Sequence, residues 1–194
     1  MGRPRGFDTD EVLEGAMKVF WQKGYAGASI SDLTNAMGIQ RPTLYSTFGS
    51  KEELFAAALE RYQEGPSVYF DRAIAEPTSR GVAEALLRGA AELHTDPGSP
   101  PGCLTVQGSL VSAEGQGGPA GKLAAVRKGA EATITRRLQK AQADGDLPAG
   151  ADPAALAAYL RTVTYGMAVQ AASGATHEEL QKTVDQALKA WPTN

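Results

Sequence analysis

At 194 residues, with 42% hydrophobic and 21% charged residues, the chain is sized for one or two globular domains with a proper buried core. No apolar run approaches the roughly 20 residues of a membrane span, and the start M-G-R-P-R-G-F-D lacks the apolar segment of a signal peptide. The single cysteine, Cys103, excludes an internal disulfide and suits a reducing cytoplasm, while a net charge of −3 argues against a general polyanion binder.

Residues 1–7 form a short arm in which proline and glycine keep the backbone extended and Arg3 and Arg5 alternate. Such an arm can lie in a DNA minor groove; the alternative is a terminus whose arginines serve solubility. The first helix opens at Asp8 with Glu11 three residues on, carries Leu13, Ala16, Met17 and Phe20 on its inner stripe, and stops at Gly24. Ser29 and Asp32 read as a capping box opening a second helix, with Ile30, Leu33 and Met37 at helical spacing. Gly38 supplies the left-handed residue that turns the chain. A third helix begins around Gln40 or Arg41, where Pro42 is tolerated, and turns Leu44 and Phe48 inward. Arg41, Thr43, Tyr45 and Ser46 are left outward. Gly49 ends it, and Ser50-Lys51-Glu52-Glu53 is a second capping box. Two capped helices joined by a glycine turn fit a helix-turn-helix, and equally a plain helical hairpin.

The fourth helix carries Phe55, Ala58, Leu59 and Tyr62, and is expected to break or kink at Gly65-Pro66. The remainder reads as helix throughout. Helices are expected from Thr78 to His94, from Cys103 to Ala113, from Pro119 to Ala143, from Asp152-Pro153 to Ser173, and from the capping box at Thr176 onward. The linker E-G-Q-G-G-P-A-G interrupts them with four glycines. Leu156, Leu160, Val163 and Met167 step by four and three, as do Leu180, Val184, Leu188 and Trp191, two seams of the kind that meet a partner helix or an internal core.

The gap-free run from Phe7 to Leu59, with L-Y-S-T-F-G-S-K-E-E-L-F at its heart, strongly resembles the N-terminal domain of the tetracycline-repressor (TetR) family. The later part resembles that family in helical layout and in P-P-G-C-L. The resemblance implies an all-α fold: an N-terminal helix-turn-helix DNA-binding domain (1–50), a connecting helix (51–66) and a C-terminal helical bundle for ligand binding and dimerisation (67–194). It implies a cytoplasmic repressor, not an enzyme, that binds a palindromic operator in double-stranded DNA as a homodimer and is released by a small-molecule effector. By the same resemblance, Gln40, Arg41, Pro42 and Thr43 face base edges, and Tyr45 and Lys51 hold phosphates with Ser29 and Ser46, while the arm arginines Arg3 and Arg5 remain candidates for the minor groove. The two seams become the dimer interface, since the family dimerises through its last two long helices.

For the effector, the aromatic and polar residues of the second domain offer Tyr62, Tyr69, Phe70, His94, Gln107, Tyr159, Tyr165 and Met167 as lining. Cys103 stands at an expected helix N-terminus, which lowers thiol pKa; it is either a thiol sensor or a small buried hydrophobe. A Cys103–His94 nucleophile pair would need the two to meet beside an oxyanion site, and no pattern in the sequence places them so. One cysteine and two separated histidines, His94 and His177, do not make a metal site, and no cofactor motif is present.

Overall fold

In the computed structural model, residues 9–110 and 118–192 are described, the side chains of 108–110 excepted. Among them are ten α-helices: α1 (Thr9–Gly27), α2 (Ile30–Met37), α3 (Arg41–Phe48), α4 (Lys51–Glu64), α5 (Tyr69–Ile74), α6 (Ser79–His94), α7 (Leu104–Leu110), α8 (Gly118–Ala143), α9 (Pro153–Ala172) and α10 (His177–Lys189). The expected opening of α1 at Asp8 and the arm with Arg3 and Arg5 lie outside the described residues, as does the first half of the glycine linker.

The caps form where local chemistry puts them. Ser29 and Asp32 make both bonds of a capping box, as do Ser50 with Glu53 and Thr176 with Glu179. Gly38 closes α2 in the left-handed region, with φ 63°. Gly24, with φ 65° and ψ 174°, kinks α1 rather than ending it, and the helix adds a last turn to Gly27. Pro66 cannot donate a backbone bond and crowds the residue before it, so α4 ends at Glu64 and a single 3-10 turn, Pro66–Val68, leads into α5.

Two cores result. The first joins α1 to α4 through Met17, Phe20, Trp21, Leu33, Leu44, Leu54, Phe55 and Tyr62, all at most 1% exposed. Rings lock it: Phe20 meets Phe55 edge-on at 5.1 Å, and Trp21 meets Tyr62 at 4.8 Å. Each such side chain contributes about 1.5–3 kcal/mol of burial. Cys103 and Leu104 at the start of α7 belong to this same core, and α7 packs on α1. The second core is built from α5, α6, α8, α9 and α10 around Leu87, Ile134, Leu138, Leu160 and Leu180.

The seam residues go into that second core. Leu160, Met167, Leu180, Val184, Leu188 and Trp191 are 0–4% exposed within one protomer, and Leu156 and Val163 are half-buried against the same cluster. Within the protomer α10 lays its apolar stripe on α6, and α9 lays its own on α6 and α8, so of the eight residues expected at a dimer surface Leu156 and Val163 alone keep part of their surface open. An amphipathic stripe records that a face is covered, not by which chain.

Candidate DNA-binding face and effector cavity

The helix-turn-helix is held by one close approach. A Cβ at Gly15 of α1 would lie 2.5 Å from the carbonyl oxygen of Ala36 in α2, so only glycine lets the two helices cross there. α3 is then anchored by Leu44, fully buried, and by half-buried Phe48. Its N-terminal end stands open. Gln40, Arg41 and Pro42 are exposed, no side chain caps the helix, and Thr43 is half-buried behind them. Tyr45 follows at 40% exposure, with the Arg41 guanidinium 5.7 Å from its ring centre. Lys51 rests its ammonium over the Tyr25 ring at 4.4 Å, and partial burial draws its pKa below the ordinary lysine value.

Two expected phosphate donors are otherwise engaged. Ser29 donates both its N–H and its hydroxyl to Asp32, at 3.0 and 2.7 Å. Ser46 donates its hydroxyl to the Thr43 carbonyl at 3.1 Å. Both serve helix geometry, which satisfies local donors first.

Behind this domain, where the first core meets the second, lies a cavity of about 330 Å³. Of the eight expected lining residues it receives five: Tyr62, Tyr69, Phe70, His94 and Tyr165. The other three are elsewhere. Met167 is core packing at 1% exposure, Tyr159 donates to the Ala187 carbonyl at 3.2 Å, and Gln107 donates to the Pro101 carbonyl at 2.9 Å. Helical residues three or four apart share a face, but the rotation of that face toward the cavity is set by packing.

Cys103, Thr105, Asp71 and Arg161 also line the cavity. Arg161 carried a readable signal, because it is the single charged residue of α9. Cys103 Sγ accepts from the Tyr62 hydroxyl at 3.3 Å and lies 3.1 Å from Thr105 Oγ1. Burial alone pushes this thiol up, but the adjacent His94 imidazole, then Thr105 and Tyr62, outweigh it and bring the pKa down to about 6. His94 is 1% exposed and lowers the thiol pKa through a side-chain hydrogen bond and electrostatically, while its Nδ1 has no hydrogen-bond partner. The Tyr62 hydroxyl is held well above its usual range by burial and by the neighbouring thiol. No group of ligands suited to a metal ion occurs among the described residues.

Helices without a strand among the described residues, an exposed and uncapped start on the second helix of a helix-turn-helix, and a cavity where the two cores meet are the build of a DNA-binding regulator. Residues 12–58 match the bacterial regulatory proteins of the tetR family, and residues 83–173 match the tetracyclin repressor-like C-terminal domain. The chain belongs to the TetR family. It is 33% identical over 193 residues to the HTH-type transcriptional repressor ComR of Escherichia coli (strain K12), covering 98% of this chain and 92% of that one. It is 30% identical to the repressor BdcR of the same strain, over 99% and 93% of the two chains. A solved structure of a cysteine-substituted CifR, a TetR family regulator complexed with 26-bp operator DNA, superposes with a TM-score of 0.90 at 39% identity, covering 98% of this chain and 100% of that one. The family is one of DNA-binding transcriptional regulators rather than enzymes. No described helix is long and apolar enough to cross a membrane.

Proposed function

We propose that the protein is a cytoplasmic repressor that binds a palindromic operator as a homodimer and leaves it when a small molecule occupies the cavity. The observation that carries this is the open N-terminal end of α3, where Gln40, Arg41 and Pro42 stand exposed in a row on a chain of net negative charge. In the major groove Arg41 suits a guanine edge, Gln40 an adenine edge, and Pro42 with Thr43 a thymine methyl. Tyr45 and Lys51 hold phosphates and set register. CifR, the 39%-identical relative, is complexed with operator DNA.

The dimer rests on the outward face of α9 rather than on the seams. That face shows Ala155, Ala158, Thr162, Gly166 and Val169, all exposed and none charged, beside a groove floored by Tyr159 and Val163 and edged by Lys182 and Gln186 of α10. A two-fold pair places two α3 helices on successive major grooves, about 34–36 Å apart. The effector acts by fitting better the form in which that spacing is wrong, so operator and effector weaken each other equally. Cys103 favours a second reading of the trigger, a thiol that reports on reactive compounds, because its pKa is brought down to about 6 inside the cavity.

The test is recovery of bound genomic DNA, followed by titration of the recovered duplex. Two protomers per palindrome, and loss of affinity when one half-site is scrambled, are expected. Tight binding of one protomer per site would refute the dimeric reading.

A further inference from the structure

We propose that the cavity is a covalent acceptor site: Cys103 Sγ adds to the β-carbon of a small, neutral α,β-unsaturated carbonyl compound, whose oxygen is received by Arg161 and Tyr69. This rests on reading the cavity as the effector site and names the chemical class it takes.

The cavity wall holds two polar clusters. At one, Cys103 is flanked by Tyr62, Thr105 and His94, a buried imidazole whose Nδ1 has no partner. At the other, the Arg161 guanidinium stacks on the Tyr165 ring at 4.5 Å, donates to the Tyr165 hydroxyl at 2.6 and 3.1 Å, and makes no ion pair with any described carboxylate. Tyr69 lies between. Its buried phenol feels both Cys103 and Arg161, and burial holds its proton on, so it is a donor. Tyr69 is seated against Gly89 of α6, where any Cβ would strike its ring.

The charges choose the ligand. A ligand that arrives as an anion meets Asp71 on the wall and the thiolate itself. A ligand that arrives neutral and develops negative charge on oxygen only as it reacts uses Arg161 and Tyr69 to full effect. The step balances without an oxidant. The thiol proton passes to His94, the sulfur lone pair forms the C–S bond, and the C=C π pair moves to make an enolate at Arg161 and Tyr69. The proton then returns from His94 to the α-carbon, leaving a thioether and a neutral imidazole.

Because the chain has one cysteine, intact mass reads the site directly. The full-length protein is treated with methyl vinyl ketone, and separately with iodoacetamide, which alkylates a thiol by displacement and forms no enolate. One ketone adduct on Cys103 is expected, with a rate half-maximal near pH 6, where the structure puts the thiol, rather than at about 8.5. Cys103→Ser abolishes it, and His94→Gln moves the half-maximal pH upward. Arg161→Leu and Tyr69→Phe each slow the ketone by about 100-fold or more while sparing iodoacetamide. Equal slowing of both reagents would remove Arg161 and Tyr69 from the site. No adduct on the folded protein, with reaction only in urea, would overturn the proposal outright. Adduct formation that leaves operator affinity unchanged would keep the covalent site and defeat the effector reading instead.

Discussion

Removing the Lys51 ammonium tests the docking of the helix-turn-helix on the DNA backbone. Lys51 opens α4 two residues beyond Gly49, the cap of α3, and is held on one side by the Tyr25 ring at 4.4 Å. Loss of that ring contact in Lys51→Ala costs about 0.5–1 kcal/mol of stability, well short of the 5–15 kcal/mol typical of a domain, so the fold survives. Each phosphate neutralised contributes about 0.9 to the slope of log affinity against log salt, and a dimer carries two copies, so the slope flattens by about 1.8. Over a fourfold rise in salt, from about 50 to 200 mM, the unsubstituted protein loses roughly 12-fold more affinity than the variant. The assay is fluorescence anisotropy of a labelled operator duplex at several salt concentrations, repeated with random duplex, where the same flattening is expected. Lys140→Ala is the control, because that ammonium, near the end of α8, sits 2.6 Å from Asp144 just beyond it. An unchanged slope for Lys51→Ala, or equal flattening in the control, would refute the phosphate role.

Arg41→Ala should discriminate less at one base pair of each half-site, by about 1–3 kcal/mol, while its loss on random DNA stays small; equal losses on both would end its base-reading role. Gly15→Ala forces a methyl against the Ala36 carbonyl and should destabilise the N-terminal domain by about 1–3 kcal/mol, seen as an earlier thermal transition; an unchanged transition would mean the α1–α2 crossing yields freely. Asp32 is held at about 2, against 3.8 unperturbed, by hydrogen bonds from Lys23 first and then from Ser29. Its folded pKa is lowered, so its contribution is complete above pH 3.8 and is lost as pH falls through about 2. Denaturant midpoints of the protein and of Asp32→Asn should therefore differ at neutral pH and converge near pH 2, and a gap that persists there would exclude the ionised carboxylate as its source.

Much of the fold was legible because it is written in local chemistry. The capping boxes at Ser29, Ser50 and Thr176, the turn at Gly38 and the break at Gly65-Pro66 involve residues within four of one another, and all form where expected. The exposed N-terminal end of α3 was legible for the same reason, since a helix start with Gln40, Arg41 and Pro42 is placed by local chemistry. That Ser29 donates its hydroxyl to Asp32 and Ser46 to the Thr43 carbonyl was not legible, because exposure alone does not show which local acceptors a hydroxyl has.

The sequence by itself determined that the chain is helical, where α2, α3 and α4 start and stop, and that the start of α3 presents arginine and glutamine outward. Short-range hydrogen bonds and the 3.6-residue period carry that information. Only the tertiary structure decided what each apolar stripe covers. It put Leu180, Val184 and Leu188 against α6 of the same chain, and left the uncharged outer face of α9 open. It also brought His94 at the end of α6, Cys103 at the start of α7 and Arg161 in the middle of α9 to one cavity. Those residues are far apart in the chain, and their meeting depends on helix crossings and rotations that no local spacing encodes.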